Sequence, residues 1–446
     1  MANIKFAAAL VLAALLAAGC TLVELSYVQP QQKKIDEACR IEGTVRAEDP
    51  ENHPLVVVLA RLVGTDPRQR SAWQVADHFV LDQPGHWIFF VPNSETYGVV
   101  AFEDKNGDLI YQADEPYLQV QATGLIACKP GATFKGYALV IPENGRPLDA
   151  AIANVNITAL QARSVDDQAQ ATLGQLTVAG EVTTMDDPRF ADGNGMMGLW
   201  RPFDFMQTVR PGVYFLEPYD PHKIPVLFVH GITGTPTNFT TIVKRLDRSK
   251  FQPWMYYYPS GAHLGMIADH LNQTMMSLEA RYGVRKFFVV SHSMGGLVSR
   301  GFILRHNALA TRSRIPLFVS LSAPFGGHTA ATLGVKMSPA VVRVWEDMAP
   351  DSDYLRSLYY RDKDKKMLAT IAPATTHHLL FSFRHTDTIT IGDANDDTAT
   401  LTSQLVWEAQ RDAVRLYGLE ETHMSILDAE RVTTLLGDIL AQAAKE

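Results

Sequence analysis

The chain has 446 residues, of which 46% are hydrophobic and 20% are charged, and its formal net charge is −8. This length and composition predict two or three globular domains with enough apolar material for a sizeable core. The acidic balance, without a basic block or an aromatic–basic stripe, argues against a nucleic-acid partner.

The N-terminus combines Lys5 with an apolar run from Phe6 to Ala18 that is too short to cross a bilayer. Small residues then precede Cys20, so residues 1–20 resemble a bacterial lipoprotein signal peptide. The resemblance implies that Cys20 becomes the lipidated first residue of the mature chain and anchors it to a membrane. Thr21 in place of aspartate favours, by resemblance to Gram-negative lipoproteins, the outer membrane. An ordinary secretory signal with a chance cysteine is the alternative.

The next part of the chain predicts a tether followed by a small β-domain. Residues 21–37 are polar with no clear period, which is typical of a tether. In residues 38–142, short runs of β-branched and aromatic residues alternate with turn residues, and their spacing favours a β-sandwich. This segment loosely resembles transthyretin-like or carboxypeptidase-regulatory-like domains. Cys39 and Cys128 form an even pair in an exported chain, which indicates one disulfide; two buried thiols are the alternative.

One acidic loop in the β-domain has the spacing of a calcium site. Oxygen ligands fall at positions 1, 3, 5 and 12 of this loop, at Asp104, Asn106, Asp108 and Glu115. Position 6, where an EF-hand needs glycine, is Leu109, and no helical pattern flanks the loop. An acidic turn in solvent is therefore the favoured interpretation, and we expect neither a metal nor an organic cofactor.

Residues 143–215 are predicted to be a linker and a lead-in to a catalytic domain at 216–446. From residue 216 strand and helix patterns alternate, which predicts a mostly parallel sheet with helices on both faces. Strands are predicted at 225–229, 254–258, 287–290, 317–321, 378–383 and 413–416, and helices at 236–247, 264–282, 294–306 and 426–444.

A cap is predicted at about residues 328–370, between two core strands. Its apolar residues either form an acyl pocket or simply pack the cap helices. These residues are Met337, Trp345, Met348, Tyr354, Leu355 and Leu358.

The clearest chemical signal is a buried strand, a tight turn with Ser293, and a helix, in the sequence FFVVSHSMGG. A nucleophilic serine sits on such a strained corner, where small residues two places before and after it let the backbones pass closely. Ser291, in place of the usual glycine, and Gly295 fill those positions. The turn also brings the N–H of Met294 beside a reacting carbonyl.

A second signal is the glycine-containing loop HGITG after the strand at 225–229. Acyl transfer places negative charge on an oxygen and needs two N–H donors. Met294 supplies one, and the N–H of Ile232 is the predicted second donor. His230, the first residue of this loop, is predicted to be structural.

Chain order then identifies the remaining partners, because this fold runs nucleophile, acid, histidine. His423 follows the last strand-like run and precedes the final helix, as the base requires. The acid should follow the strand at 378–383, where composition alone leaves four candidates. These are Asp387, Asp393, Asp396 and Asp397.

These segments, with SLSAPFGGH and NDDTATLTSQL, resemble the lipase/esterase-like α/β-hydrolases, including relatives of the GPI-inositol deacylases. The resemblance covers residues 216–446, about half of the chain. In that family the acid lies in a run like Asp-Gly-Thr-Val-x-Leu-x-Ser, which implies Asp396 here, with Asp397 in place of the glycine. Asp397 and Asp387 remain the second and third choices.

The sequence therefore predicts an ester hydrolase that forms an acyl-enzyme on Ser293, with Asp396 orienting His423. Membrane attachment favours lipid-like esters as substrates. An acyltransferase or thioesterase using the same residues is one alternative. A non-catalytic envelope-binding lipoprotein, or a protein whose function lies in the β-domain, belongs to another class.

Overall fold

The computed structural model describes residues 23–48, 53–66, 72–108, 110–112, 114–119, 125–143, 171–309, 314–385 and 394–446. The predicted signal peptide with Cys20, and the acid candidates Asp387 and Asp393, lie outside the described residues. Within the described part of the chain, no helix is long and apolar enough to cross a membrane.

The N-terminal domain consists of two sheets that share one hydrophobic core. A three-stranded sheet has the order β4-β1-β8, and a second sheet has the order β3-β2-β5-β6 with β7 beside β5. Alternate residues of both sheets point into the shared core, as period-two burial in a half-exposed strand requires. The strands are β1 (Cys39–Ala47), β2 (Leu55–Leu62), β3 (Trp73–Leu81), β4 (Gly85–Val91), β5 (Thr96–Glu103), β6 (Tyr117–Gln119), β7 (Ile126–Ala127) and β8 (Thr133–Ile141).

A disulfide joins Cys39, at the start of β1, to Cys128, directly after β7. It links the two sheets of the domain, as the even pair of cysteines suggested. Between the domains, Met276 enters the core of the β-domain, and Gln273 donates to the carbonyl of Ile88 at 3.1 Å. Both residues belong to the long helix at 264–282, so the β-domain packs directly on the second domain.

The predicted tether is wrong for most of its length, because residues 23–36 form a helix, α1, that docks on the second domain. Val28 is buried in that domain's core. The main-chain N–H of Asp204 donates to Gln31 Oε1 at 2.9 Å, and Asp36 pairs with Arg343 at 2.5 Å. Val28 and these polar contacts together dock the helix. Because the helix has a mostly polar composition, its sequence did not indicate a docking face.

The second domain contains one eight-stranded sheet in the order β16-β15-β14-β13-β11-β12-β10-β9. The six strands from β11 to β16 are parallel, whereas β10 runs antiparallel to β12 and parallel to β9. The bounds are β9 (Val178–Val182), β10 (Gly212–Phe215), β11 (Ile224–Val229), β12 (Phe251–Tyr257), β13 (Lys286–His292), β14 (Arg314–Leu321), β15 (Thr376–Ser382) and β16 (Ala413–Leu419).

The sheet begins earlier than predicted. Both β9 and β10 lie within 171–215, the described part of the predicted linker and lead-in. The central strands β11 to β13 are almost continuously apolar because helices cover both faces of the sheet and form two separate cores there.

Helices flank both faces and connect the strands. Their bounds are α2 (Leu173–Leu176), α3 (Asp192–Trp200), α4 (Pro202–Thr208), α5 (Thr240–Arg245), α6 (Leu264–Tyr282), α7 (Gly295–Ala308), α8 (Thr329–Met337), α9 (Arg343–Met348), α10 (Asp353–Ser357), α11 (Leu401–Gln404), α12 (Trp407–Asp412) and α13 (Glu430–Ala443). Among the described residues of this domain, short 3₁₀ turns lie at Pro188–Phe190, Pro236–Phe239 and Ser425–Leu427. The long helix α6 ends where Gly283 adopts φ 65°, a left-handed conformation that glycine allows without strain.

Helices α8 to α10 form the segment between β14 and β15 where a cap was expected. Most of the apolar residues predicted there pack into the domain core, whereas Met337 is 79% exposed. Trp345 is partly buried and meets Trp200 of α3 edge to face, with ring centroids 6.0 Å apart. The residues in the core are Met348, Tyr354, Leu355 and Leu358.

Candidate active site

Ser293 lies on a sharp turn between β13 and α7, as the strand–turn–helix pattern predicted. Its φ of 53° is unusual for a residue with a side chain, so the turn holds it in a strained conformation. Gly295 makes this turn possible, because a Cβ there would overlap the carbonyl oxygens of Val229 and His230. The strain and the close approach together project the serine hydroxyl out of the end of the sheet.

The structure brings His423 and Asp396 to this serine in one hydrogen-bonded line. His423 Nε2 lies 2.8 Å from Ser293 Oγ, and His423 Nδ1 lies 2.9 Å from Asp396 Oδ2. All three side chains are buried, with Asp396 fully inaccessible. This geometry allows the imidazole to take the serine proton while the carboxylate holds its other nitrogen protonated.

The surroundings of Asp396 distinguish it from its neighbour Asp397. Its Oδ1 accepts the main-chain N–H of Thr398 at 3.1 Å and that of Ala399 at 2.7 Å. Burial alone would raise the pKa of Asp396, but its interaction with His423, the hydrogen bond from Ser382 and the N–H of Ala399 hold the pKa below its ordinary value. The structure therefore places Asp396 as an anion beside the histidine, whereas Asp397 is only partly buried and has φ 79°.

The two predicted oxyanion donors flank Ser293. Met294 follows the nucleophile and caps the N-terminus of α7, where the helix dipole also favours negative charge. Ile232 lies in the loop after β11, and Gly231 before it lies so close that a Cβ there would be 2.8 Å from Ser293 Cβ. Within the described part of the chain, neither the Ile232 nor the Met294 N–H donates to a protein acceptor.

His230 is structural in this geometry. Its ring stacks on Tyr258 with centroids 4.2 Å apart, its Nδ1 lies 2.7 Å from the carbonyl oxygen of Gly231, and burial lowers its pKa to about 4. The neutral ring thus fixes the glycine loop from within rather than facing a substrate.

Three side chains around the site were missed by sequence reasoning. Ser382 donates to Asp396 Oδ2 at 2.6 Å, and Gln404 Nε2 donates to the same oxygen at 3.2 Å. His292 Nε2 lies 2.8 Å from the main-chain oxygen of His423. The position of Ser382 at the end of β15 was a usable signal, because parallel strands end at the same edge of the sheet as the nucleophile. Nothing in the sequence indicated the partner of Gln404.

The loop with the calcium-like spacing uses its carboxylates internally. Glu115 accepts the N–H of Lys105 at 2.9 Å and that of Gln112 at 2.8 Å, and Asp104 accepts that of Gly107 at 2.9 Å. Among the residues that the structure describes, no group of three or more His, Cys, Asp or Glu side chains is arranged to hold a metal ion. These hydrogen bonds close the loop on itself.

The fold and site define a class. An eight-stranded, mostly parallel sheet carries a serine on the turn between a central strand and a helix, followed in the chain by an aspartate after β15 and a histidine after β16. That combination is the α/β-hydrolase fold with its Ser…Asp…His order, and the predicted fold class is confirmed.

Comparisons with known proteins give one family match and a set of similar structures. Residues 269–338, from α6 through the elbow to the end of α8, match the model of the family described as "Lecithin:cholesterol acyltransferase". A search of curated protein sequences finds no match.

Three solved structures illustrate the structural similarity. Mature lipase BlEst2 of Bacillus licheniformis is 18% identical, with a TM-score of 0.40, over 51% of this chain and 97% of the lipase. Lipase B of Aspergillus fumigatus is 17% identical, with a TM-score of 0.37, over 51% and 55% of the two chains. The lin2722 gene product of Listeria innocua is 13% identical, with a TM-score of 0.37, over 49% and 94%.

Proposed function

We propose that the protein is a serine hydrolase that cleaves carboxylic esters through an acyl-enzyme on Ser293. The observation that carries the proposal is the hydrogen-bonded line from Ser293 Oγ through His423 to the buried Asp396 carboxylate. A nucleophile, a base and an orienting acid in hydrogen-bond reach are the parts that acyl transfer requires.

The reaction proceeds in two halves. His423 Nε2 takes the hydroxyl proton of Ser293 as Oγ bonds to the ester carbon, and the Ile232 and Met294 amides hold the resulting oxyanion. The tetrahedral intermediate collapses, and the leaving alcohol takes the proton from His423. Water then gives its proton to His423, attacks the acyl-enzyme carbon, and releases the acid as Ser293 recovers its proton.

A lipid-like ester is the proposed substrate class. The match to the lecithin:cholesterol acyltransferase family over residues 269–338 supports it, because that family's description names a lipid. The proposed lipid anchor on Cys20 would also hold the enzyme at a membrane, where lipid esters are concentrated, and an outer-membrane location is part of the proposal.

An acyltransferase is the second candidate, and the same family match favours it. The chemistry differs only in the second half, where an alcohol rather than water attacks the acyl-enzyme. Adding an acceptor alcohol to the assay distinguishes the two, because a transferase yields the new ester in preference to free acid. A thioester substrate is tested in parallel with an acyl-thioester of matched chain length.

The test uses p-nitrophenyl esters from C2 to C16 and a fluorophosphonate probe, with wild type beside Ser293→Ala. Ser299→Ala is the matched control, because Ser299 is a buried serine of α7 whose hydroxyl has no partner among the described residues. We expect hydrolysis and labelling in wild type and S299A and neither in S293A. Absence of both in folded wild type would refute the proposal and favour a non-catalytic binding protein.

Lipidation is tested separately by metabolic labelling with a fatty-acid analogue and by fractionation of membranes. Wild type should incorporate the label and sediment with the outer membrane, and Cys20→Ala should do neither. Incorporation in the variant would contradict Cys20 as the anchor.

A further inference from the structure

His292 lies directly before the nucleophile and contacts the loop that carries the base. It is buried, its Nε2 lies 2.8 Å from the main-chain oxygen of His423, and the two imidazole rings have centroids 4.9 Å apart. The side chain therefore connects the elbow after β13 to the loop after β16, in addition to the contact between Ser293 and His423 described above.

The main chain of His423 is held from two sides. Its N–H donates to the carbonyl oxygen of Asp396 at 2.7 Å, and its carbonyl oxygen faces His292 Nε2. The direction of a side chain follows from the position and orientation of its own peptide units. Holding both polar groups of the His423 main chain consequently fixes where the imidazole begins and where it points.

The partner of His292 Nε2 determines the tautomer and the protonation state of the His292 ring. A carbonyl oxygen only accepts, so His292 Nε2 carries the hydrogen and donates it. Burial, followed by the charge of a protonated His423 ring nearby, lowers the pKa of His292 to about 3. The ring therefore stays neutral and stays a donor at any pH where a serine hydrolase works.

From this arrangement we infer that His292 is a positioning residue that sets the imidazole of His423 against Ser293 Oγ through the His423 main-chain carbonyl. The inference rests on the proposed function, because position matters to the rate only if His423 is the base of Ser293. Without the donor, the buried carbonyl loses its partner and the loop shifts to find another.

Two variants of matched length isolate the donor. In His292→Gln the amide nitrogen lies as many bonds from Cβ as Nε2 does, whereas His292→Met has similar length and no donor. We expect His292→Met to lower kcat by about tenfold to a hundredfold, since small misplacements of reacting groups cost about that much. We expect KM to stay within about twofold, because ground-state binding is untouched, and His292→Gln to recover most of the lost rate.

A second readout does not depend on turnover. The low-field proton NMR signal of the hydrogen bond between His423 Nδ1 and Asp396 reports the geometry of the pair directly. We expect it to shift or broaden in His292→Met and to return in His292→Gln. Thermal unfolding checks that each variant is folded. If His292→Met does not fold, His292→Asn replaces it, because its shorter amide falls short of the carbonyl.

The outcomes separate this inference from the proposed function. If wild type neither turns over esters nor reacts with fluorophosphonate, the proposed function fails, and an unchanged NMR signal in folded His292→Met would also overturn the positioning role. If wild type is active, a folded His292→Met with the wild-type kcat overturns the inference. A His292→Gln as slow as His292→Met does so too, because it shows that the donor is not what matters.

Discussion

Replacing Asp396 with Asn tests which aspartate orients the base, and the structure determines how the asparagine would bind. Asp396 Oδ1 accepts two main-chain N–H groups, from Thr398 and Ala399. An asparagine keeps its carbonyl oxygen there, because main-chain N–H groups can only donate. At the Oδ2 position, by contrast, the Ser382 hydroxyl can rotate to accept, and Gln404 Nε2 keeps its bond to the Ser382 carbonyl oxygen. The NH₂ then takes the place of Oδ2 and donates to His423 Nδ1.

This exchange reverses the tautomer of the His423 ring. With Nδ1 accepting a hydrogen bond, the hydrogen of the neutral ring of His423 moves to Nε2, which can no longer accept the proton of Ser293. We expect kcat to fall by about 10³–10⁴-fold, which corresponds to about 4–5.5 kcal/mol of lost transition-state stabilisation. The assay is p-nitrophenyl ester turnover, with the unfolding midpoint measured alongside.

Asp397→Asn is the matched control for this substitution. Asparagine tolerates the left-handed φ of 79° at this position as well as aspartate does. We expect its kcat to stay within about threefold of wild type. The reasoning is refuted if Asp397→Asn loses the rate while Asp396→Asn, confirmed as folded, retains it.

Two further predictions concern packing and charge. Gly231→Ala places a Cβ 2.8 Å from Ser293 Cβ, so we expect kcat to fall by about a hundredfold. The control is Gly193→Ala, where nothing lies within 4 Å of the added Cβ and kcat should match that of wild type. Equal kcat values in the two variants would contradict the importance of the close approach. Burial raises the pKa of Asp77 from 3.8 to about 6, so the folded state holds the proton more tightly and stability falls as pH rises through this window. Above pH 6, Asp77→Asn removes the cost of ionising the buried carboxyl, about 2–3 kcal/mol of unfolding free energy. We expect the substitution to raise the thermal unfolding midpoint at pH 7.5 but hardly at pH 4. The same rise at both pH values would argue against ionisation of Asp77 as the cause.

Local pattern was enough to predict the elbow and the glycine loop. The elbow at Ser293 and the loop at Ile232 each lie within a short strand–turn segment, where residue size and order are constrained by close backbone packing. The base could be predicted for a different reason: chain order in this fold leaves one histidine, His423, between the last strand and the last helix.

Contacts between distant parts of the chain could not be predicted in the same way. Strand β9 is a short run, VAGEV, that becomes a strand only by pairing with β10, more than thirty residues later. Helix α1 has a polar sequence whose docking depends on single side chains. Composition alone did not separate Asp396 from Asp397, and only the resemblance to the family run indicated Asp396. The structural difference between the two lies in the left-handed turn at Asp397.

The docking of α1 also affects how substrate is supplied, if Cys20 carries the proposed anchor. Cys20 precedes Val23, the first residue that the structure describes, by three residues, so the chain between them spans at most about 11 Å. Helix α1 is held to the core of the second domain at Val28 and to helix α9 through Arg343. The anchored enzyme then has no long flexible linker that would let its active site move far from the membrane surface. Its encounters with lipid become a problem of lateral diffusion within one leaflet, governed by surface density rather than by bulk concentration.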